Sequence, residues 1–512
     1  MKKYLSKYFH SVHPFLFAVF PVLYLYSNNL EEVVFRDIFL SAAMVLVFAA
    51  ILYLFFLFVF RNSRKAAIVA SLFVVSFFIY SFVMFIRDEY GLRFRYLFGI
   101  LMAVFIASIF TVWKTKRDMR IVTNTFNVIS IFLILVSLVS IISTKAKISL
   151  KTLSEIQEPY QATNNGKPVN LPDIYYILPD AHASTWELKT YFNYDNSEFT
   201  NRLTELGFYV APKSRTNYHR TDLVLASLLN LDYLQSIANN DISLEGLNRY
   251  ELIQDHKVGR FLKSMGYTYI HAGTTWNLTH KIRSADRNIN EGYIPEFPMI
   301  LYGSITETFK LLGFEFELID VRRQQWKTIL AQFEEVEKIP SMKEPTFTFL
   351  HLDAPHHPFV FNQDGSYHEG EPPYINRAKY ADYKGDYLNQ LIFVDNKLIE
   401  LVETLIKQSD IPSIIVIQSD HGSSLYAETK FESDKHLRGR LKNFSAFYLP
   451  TFPKDELFNK NIMPYESITP VNTFRLIFDR YFGAQYGFLP DRSFTDRNNI
   501  VTDVTDMVQK DY

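Results

Sequence analysis

The chain has 512 residues, a formal net charge of -1 at pH 7 and 48% hydrophobic residues. Its length exceeds that of one ordinary domain, so at least two structural units are expected. The near-neutral charge gives no support to nucleic-acid binding, which usually requires a strongly basic surface. The absence of cysteine excludes disulfides, cysteine zinc ligands and a cysteine nucleophile. Histidine and aspartate remain as candidate metal ligands.

Apolar residues are concentrated in the first 145 positions, where they form five runs of roughly the length that crosses a bilayer. The runs are Pro14–Tyr26, Ile38–Phe60, Ala66–Ile86, Tyr96–Trp113 and Phe126–Ser143. The first run is short and holds two prolines, so it is a kinked span or an interfacial segment. Buried core helices of a soluble protein are the alternative, but such helices rarely reach spanning length in series. We therefore predict an N-terminal all-α transmembrane bundle of about five helices over residues 1–143.

The loops between these runs differ in charge. Lysine and arginine dominate before the first run, between the second and third, and between the fourth and fifth, whereas the other two loops are acidic or mixed. Basic loops usually lie on the cytoplasmic side of a membrane. With an odd number of crossings, everything after residue 143 is then expected on the extracytoplasmic side.

A polar segment over residues 144–170 is interpreted as a juxtamembrane helix or stalk that leads to a second domain over residues 171–512. In that domain, short β-rich runs alternate with helical stretches. This alternation predicts an α/β/α sandwich with a mostly parallel sheet. The predicted strands are Ile174–Leu178, Tyr267–Ile270, Thr346–Leu352 and Ile414–Ile417, and the clearest helices are Val321–Lys338 and Tyr383–Lys407.

Aspartate and histidine follow three of these strands. Asp180 comes after the first, Asp420 and His421 come after the last, and a segment with several histidines, His351–Pro358, overlaps the end of the third. In open α/β sheets, functional sites form at the carboxyl ends of strands. Carboxylates and imidazoles gathered there are suited to bind a divalent cation. A single strand-end aspartate is more often a helix cap, so the prediction depends on the coincidence of three ends.

Thr221 follows a polar segment and directly precedes an apolar helical run. A threonine in this place can simply cap the helix. Alternatively, the positive potential of a helix N-terminus and a nearby metal ion would lower the pKa of its hydroxyl, which could then attack phosphorus. Spacing alone favours the capping interpretation.

Four segments together resemble the membrane-anchored, sulfatase-like branch of the alkaline phosphatase superfamily, the type of lipoteichoic acid synthase and the lipid A phosphoethanolamine transferases. The segments are Ser419–Gly422, Asn217–Ser227, Tyr176–Asp180 and His351–Pro358. The resemblance covers nearly the whole chain, from the spans to the α/β domain. It implies a location in the bacterial plasma (inner) membrane, with several crossings and an extracytoplasmic catalytic domain.

The resemblance also implies a site. One divalent metal ion, zinc or manganese, would be bound by Asp180, Thr221, Asp420 and His421. Thr221 would be the nucleophile that becomes phosphorylated, and His356 would face the substrate phosphate.

Three more residues are candidates for a second metal site or for substrate contact. Asp353 and His357 have the spacing of ligands in two-zinc phosphodiesterases of the same superfamily. His436 lies where a further histidine often occurs, although the preceding loop does not align cleanly.

The chain also departs from these relatives. Asp180 stands where the two named transferases have glutamate. Sulfatases need a formylglycine made from cysteine or serine, whereas this chain has Thr221 at the matching position. Sulfate-ester hydrolysis is therefore not expected.

We accordingly expect a metal-dependent transferase that moves phosphoglycerol or phosphoethanolamine from a membrane lipid to a surface glycan or lipid through a phosphothreonine. The lipid bilayer, the lipid donor and the glycan or lipid acceptor are the expected partners, and no nucleic acid is expected. A membrane-tethered phosphodiesterase or phosphatase is one alternative. A non-catalytic sulfatase-like binding or assembly module is the other.

Overall fold

The computed structural model describes residues 11–28, 30, 37–90, 94–152, 171–238, 242–244, 247–289, 320–369, 383–423, 425, 433–452, 457–497 and 500–510. The chain divides into two compact units near Ser149. The described part of the first unit is helical, and the second contains every described strand. The expected linker over 144–170 is helical as far as Thr152, and its remainder lies outside the described residues.

The described residues of the first unit form five helices, in agreement with the predicted number. They are α1 His13–Asn28, α2 Asp37–Phe60, α3 Ser63–Tyr90, α4 Phe94–Lys114 and α5 Arg120–Thr152. The last helix begins before Phe126 and continues past Ser143, because the polar residues on both sides of the apolar run are also compatible with helix. An N-terminal helical region with apolar helices is thus confirmed.

Two of these helices have stretches long and apolar enough to cross a membrane, namely Ile38–Phe60 and Arg120–Ala146. Among the described residues no other helix meets both criteria, and Met102–Lys114 is apolar but shorter. Large apolar side chains on α2 and α5 are exposed, for example Phe58 at 81% and Ile121 at 79%. Large exposed apolar surfaces mark membrane or protein contact sites. Five crossings remain a prediction.

The second unit is built on a seven-stranded sheet in the order β2-β7-β6-β1-β5-β3-β4. The pairs among β1, β3, β4, β5 and β6 are parallel, and β7 is antiparallel to both β6 and β2. A separate antiparallel pair is formed by β8 and β9. The strands are β1 Ile174–Pro179, β2 Tyr209–Val210, β3 Thr268–Ala272, β4 Arg287–Ile289, β5 Thr346–Leu352, β6 Ile414–Gln418, β7 Ser445–Tyr448, β8 Phe494–Arg497 and β9 Ile500–Asp503.

Helices cover both faces of this sheet. They are α6 Thr185–Glu187, α7 Ser197–Glu205, α8 Thr221–Leu228, α9 Leu234–Ile237, α10 Arg249–Gln254, α11 Lys257–Met265, α12 Asn277–His280, α13 Val321–Val336, α14 Lys384–Gln408, α15 Asp434–Arg440, α16 Thr473–Phe482 and α17 Thr505–Gln509. The four predicted strands and two predicted helices are all present, with ends that differ by at most two residues.

The alternation of side chains along β1 explains the three layers. Ile174 and Tyr176 point into one apolar cluster, which α8, α11 and α16 complete. Tyr175 and Ile177 point into a second cluster, which α7, α13 and α14 complete. Successive residues of a strand face opposite sides, and all six residues of β1 are buried. A strand that is apolar on both faces is typical of the centre of a parallel sheet, so the predicted α/β/α sandwich is confirmed.

Substitution Leu350→Ala should strongly destabilise this unit. Leu350 is fully buried in β5, and removal of a buried leucine side chain leaves a cavity that costs about 2–5 kcal/mol. Ile411→Ala is the matched control, because Ile411 is 36% exposed in the loop before β6 and should change the free energy of unfolding by under about 0.5 kcal/mol. Urea unfolding of the full chain, followed by tryptophan fluorescence, measures the free energy of unfolding of both variants. Equal losses of stability in the two would contradict the burial of Leu350 in the core.

Candidate metal centre and active site

The carboxyl ends of adjacent parallel strands bring three candidate ligands together. Asp180 directly follows β1, and Asp420 and His421 follow its neighbour β6 after one intervening residue. One ligand atom from each of these three buried residues lies within 4.8 Å of the other two. The structure thus places side chains that are 240 residues apart in one cluster, as predicted from their positions at strand ends.

Backbone hydrogen bonds fix the position of this cluster. The Asp180 amide donates to the Leu352 carbonyl at 2.9 Å, and the Asp180 carbonyl accepts from the His356 amide at 3.0 Å. The Ala181 amide donates to Asp420 Oδ1 at 3.1 Å. Ala181 adopts a φ of 60°, in the left-handed region, which turns its amide toward that carboxylate. The ends of β1, β5 and β6 are therefore connected at the site.

Thr221 is the first residue of α8, and its hydroxyl points into the same cluster. The hydroxyl donates to Asp420 Oδ2 at 2.6 Å and lies 3.3 Å from His421 Nε2. The N-cap residue of α8 is Arg220, which makes no side-chain cap hydrogen bond. The capping interpretation of Thr221 is therefore wrong. Its hydroxyl serves the acidic cluster instead.

The hydrogen bonds of His421 identify its tautomer. Nδ1 lies 3.0 Å from the Gly422 carbonyl oxygen, which can only accept, so Nδ1 carries the proton. Nε2 lies 2.7 Å from Arg440 Nη2, which can only donate, so Nε2 presents its lone pair. Nε2 lies 3.1 Å from Asp420 Oδ2 and 3.8 Å from Asp180 Oδ1. This is the tautomer in which histidine binds a metal ion through Nε2.

The donor set of this cluster fits a divalent cation. Asp180 Oδ1 is buried and has no hydrogen-bond partner among the described residues. An orphaned buried carboxylate oxygen is costly unless a cation or donor satisfies it. Two aspartate oxygens, an imidazole nitrogen and the Thr221 hydroxyl oxygen make a nitrogen and oxygen ligand set, which suits zinc or manganese.

The pKa values of the two aspartates in the cluster are shifted in opposite directions. Burial alone would raise the pKa of Asp180, but His356, His351 and His421 hold it below its usual range. Burial and the adjacent charge of Asp180 raise the pKa of Asp420 to about 6. The two shifts are opposite because a pair of buried carboxylates does not readily hold two negative charges.

His421 is kept neutral by its surroundings. Burial lowers its pKa well below the usual value, and the positive charge of Arg440 acts in the same direction. An uncharged imidazole is the form that binds metal. The cluster thus offers a neutral nitrogen ligand at neutral pH.

His356, Asp353 and His357 lie together beside the cluster. The ring centroids of His356 and His421 are 6.5 Å apart, and His356 Nδ1 is 3.8 Å from Asp353 Oδ1. The Nδ1 atoms of His356 and His357 are 3.0 Å apart. Burial raises the pKa of Asp353, whose Oδ2 accepts from the Thr275 hydroxyl. The side chains expected to face substrate or a second metal ion therefore border the first site.

Two further histidines have different placements. His436 is fully buried in the first turn of α15, the helix that ends at Arg440. His351 is buried in β5, with Nε2 3.5 Å from Asp180 Oδ2 and Nδ1 2.8 Å from Thr279 Oγ1. His351 was expected only as part of a motif, whereas the structure gives it a direct place next to Asp180.

The long helix α14 supports the site through residues that no sequence pattern indicated. The Tyr387 hydroxyl donates to the Ala181 carbonyl at 2.9 Å and accepts from the Ala183 amide at 3.0 Å. Gln390 donates to the His356 carbonyl at 2.7 Å. Asp395 contacts His182 at 2.7 Å, so His182 binds this helix rather than the metal cluster. One helix thereby holds the loop after Asp180 and the loop that carries His356.

The glycine after His421 is required by close packing. A Cβ atom on Gly422 would lie 2.5 Å from the Gly439 carbonyl oxygen and 2.1 Å from Glu187 Oε2. Glu187 is fully buried, which raises its pKa, while the nearby Arg440 and Lys442 oppose that shift. The turn therefore has room only for glycine, and its Cα lies against a buried acidic group.

The family assignment rests on residues 190–444, which match the family model described as Sulfatase. These residues form a sulfatase-family domain. Every candidate described above lies within the match except Asp180, which precedes it. The sulfatase family consists of enzymes, so the expectation of an enzyme of this superfamily is confirmed.

Solved structures similar to this chain include relatives of two activities. One is the C-terminal periplasmic domain of EcEptC from Escherichia coli in a complex with zinc, at 13% identity and a TM-score of 0.44 over 67% of this chain and 94% of that chain. Another is the integral membrane lipooligosaccharide phosphoethanolamine transferase A (EptA) from Neisseria meningitidis, at 14% identity and a TM-score of 0.36 over 69% of this chain and 63% of that chain. A 2-O GAG sulfatase, BT1596, is similar as well (12%, 64% and 77%, TM-score 0.41). A comparison with curated protein sequences found no match. Similarities this distant do not assign a substrate.

Substitution Gly422→Ala should disrupt the sulfatase-family domain at its metal cluster. The added Cβ overlaps backbone and a buried carboxylate, and such overpacking typically costs about 1–3 kcal/mol. Gly385→Ala is the control, since its Cβ meets nothing within 4 Å at the start of α14 and should stabilise the fold by about 0.4–1 kcal/mol. Thermal unfolding of both variants measures the difference. A Gly422→Ala protein as stable as wild type would refute the packing.

Proposed function

We propose that this chain is a membrane-anchored, metal-dependent phosphotransferase. It moves phosphoglycerol or phosphoethanolamine from a membrane lipid to a surface glycan or lipid, through a phosphothreonine at Thr221. One zinc or manganese ion is bound by Asp180, Thr221, Asp420 and His421. The catalytic domain comprises residues 171–512, follows a linker over 144–170, and lies on the extracytoplasmic side of a bacterial plasma membrane.

The observation that carries this proposal is the contact between Thr221 and Asp420. A hydroxyl on the first residue of a helix donates to a strand-end carboxylate at 2.6 Å and lies 3.3 Å from a neutral imidazole. The hydroxyl proton thus has an acceptor, and the oxygen is held beside the cluster that would bind the cation. A threonine with only a structural role has no need of this geometry.

In the first step, Thr221 Oγ attacks the phosphorus of the lipid head-group diester. The bond from oxygen to phosphorus forms, the bond from phosphorus to the diacylglycerol oxygen breaks, and the hydroxyl proton passes to Asp420. Asp420 Oδ2 already accepts the hydrogen bond of this hydroxyl at 2.6 Å, so the proton has a direct acceptor. In this proposal, His356 donates a proton to the diacylglycerol oxygen as it leaves.

In the second step, a hydroxyl of the acceptor attacks the phosphothreonine. The bond between phosphorus and Thr221 breaks, the head group moves to the acceptor, and the threonine oxygen recovers its proton. His356 now accepts the proton of the attacking hydroxyl, so both residues return to their starting states. A divalent ion bound in the cluster supplies Lewis-acid stabilisation of the phosphate and lowers the pKa of the threonine hydroxyl.

The family name does not imply sulfate chemistry for this chain. Formylglycine requires a cysteine or serine precursor, and the chain offers Thr221 in the nucleophile position and no cysteine anywhere. A threonine alkoxide can form a stable ester with phosphorus and later release it. This supports phosphoryl-type chemistry.

The apolar helices support a lipid donor. Stretches of spanning length in α2 and α5 would keep the enzyme at the bilayer, and confinement to one surface lowers the entropic cost of the encounter between enzyme and donor. The charge pattern of the N-terminal loops favours an extracytoplasmic position for the domain.

The nucleophile is tested with Thr221→Ala and Thr221→Ser in the full chain. Each purified protein is incubated in detergent with phosphatidylglycerol, phosphatidylethanolamine and zinc or manganese, and its intact mass is measured. Wild type should gain the mass of one head-group phosphate, Thr221→Ala should gain none, and Thr221→Ser should regain the adduct because it keeps a hydroxyl. The mass gained names the donor.

Other outcomes would favour the alternatives. Free phosphoglycerol or phosphoethanolamine released without a modified acceptor would support a hydrolase in which water resolves the same intermediate. An adduct that persists in Thr221→Ala would exclude Thr221 as nucleophile. If neither an adduct nor a released product appears with zinc or manganese, the binding or assembly module is supported.

A further inference from the structure

Among the described residues, Arg440 contacts both His421 and the loop before Thr221. Its Nη2 donates to His421 Nε2 at 2.7 Å, and its Nε donates to the carbonyl of His219, two residues before Thr221. Its own carbonyl accepts from the Gly422 amide at 2.8 Å. Its backbone is therefore fixed to the turn after His421, and its guanidinium connects that turn with the loop that carries Thr221.

The contact with His421 uses the atom that a metal ion needs. Nδ1 of His421 carries the proton given to the Gly422 carbonyl, so Nε2 holds the single lone pair of the ring. One lone pair cannot accept from a guanidinium and coordinate a cation at once. We infer that Arg440 competes with the metal ion for His421, and that metal loading displaces its guanidinium from Nε2.

Charge reinforces this competition. A guanidinium is permanently positive, and its charge is felt at His421, where it acts with burial to lower the pKa. A second cation at the ligand atom is therefore opposed by Coulomb repulsion as well as by loss of the hydrogen bond. Arg440 lowers metal affinity, and so sets the metal concentration at which the site fills.

A second acidic group near Arg440 is the buried Glu187. Its carboxylate is fully buried, and Arg440 and Lys442 are the cations that oppose the rise of its pKa. Glu187 also packs against Gly422, at the turn where the Arg440 carbonyl is bound. The guanidinium can thus leave His421 without losing an acidic neighbour. The inference relies on the proposed metal site but not on the proposed substrate.

Metal affinity of Arg440→Gln tests this inference. The full chain is purified in detergent, stripped with a chelator and titrated with zinc against a chromogenic competitor. A hydrogen bond to a charged group contributes enough that its loss should tighten zinc binding by about tenfold or more. Lys435→Gln removes the same charge from an exposed position in the same helix and should leave the affinity unchanged.

Three results would be decisive. Folded Arg440→Gln with wild-type or weaker zinc affinity would overturn the inference while leaving the metal site intact. If that variant does not fold, Arg440→Lys replaces it, because lysine keeps the charge but loses the planar guanidinium. A severalfold gain in zinc affinity then supports competition, and no gain overturns the inference. A wild-type chain that binds neither zinc nor manganese would overturn the metal site and the inference together.

Discussion

The candidate site of this protein depends on one electrostatic constraint. Two aspartates and a neutral histidine present ligand atoms within 4.8 Å of one another in a buried place. Burial and mutual repulsion raise the pKa of Asp420 while nearby histidines lower that of Asp180. A divalent cation would relieve both effects at once, since it would neutralise the carboxylates and satisfy the orphaned Asp180 oxygen.

The rest of the domain serves to hold these groups in place. Parallel pairing of β1 with β5 and β6 brings the strand ends to one edge of the sheet. The tight turn at Gly422 allows Asp420 and His421 to enter the cluster without steric overlap. Helix α14 holds the loop after Asp180 through Tyr387 and the loop that carries His356 through Gln390. Precise ligand geometry therefore arises from contacts outside the ligand set.

Much of this arrangement could be predicted because it leaves a periodic or local trace in the sequence. Strands buried on both faces appear as continuous apolar runs, and polar residues stand out where such runs end. The expected ends of the strands, the five N-terminal helices and the clustering of Asp180 with Asp420 and His421 followed from that trace.

Other features left no such trace. The contacts of Tyr387 and Asp395 depend on how a helix packs against loops 200 residues away, and an amphipathic helix pattern does not distinguish these residues from ordinary core. No sequence pattern indicated the contact of Arg440 with His421, because the two residues are 19 positions apart and meet only in the folded domain. The sequence did not distinguish the two roles of Thr221, because a hydroxyl at the start of a helix can either cap that helix or contact a neighbouring site. The structure shows the second role.

The measurement that tests the central claim most directly is metal content of the full chain, determined by elemental analysis after incubation with zinc or manganese and removal of excess ion. Wild type should retain about one equivalent per chain, and Asp420→Asn should retain almost none while keeping its thermal unfolding cooperative, because the amide cannot replace a ligating carboxylate. Equal metal content in the two proteins, or none in wild type, would contradict the account.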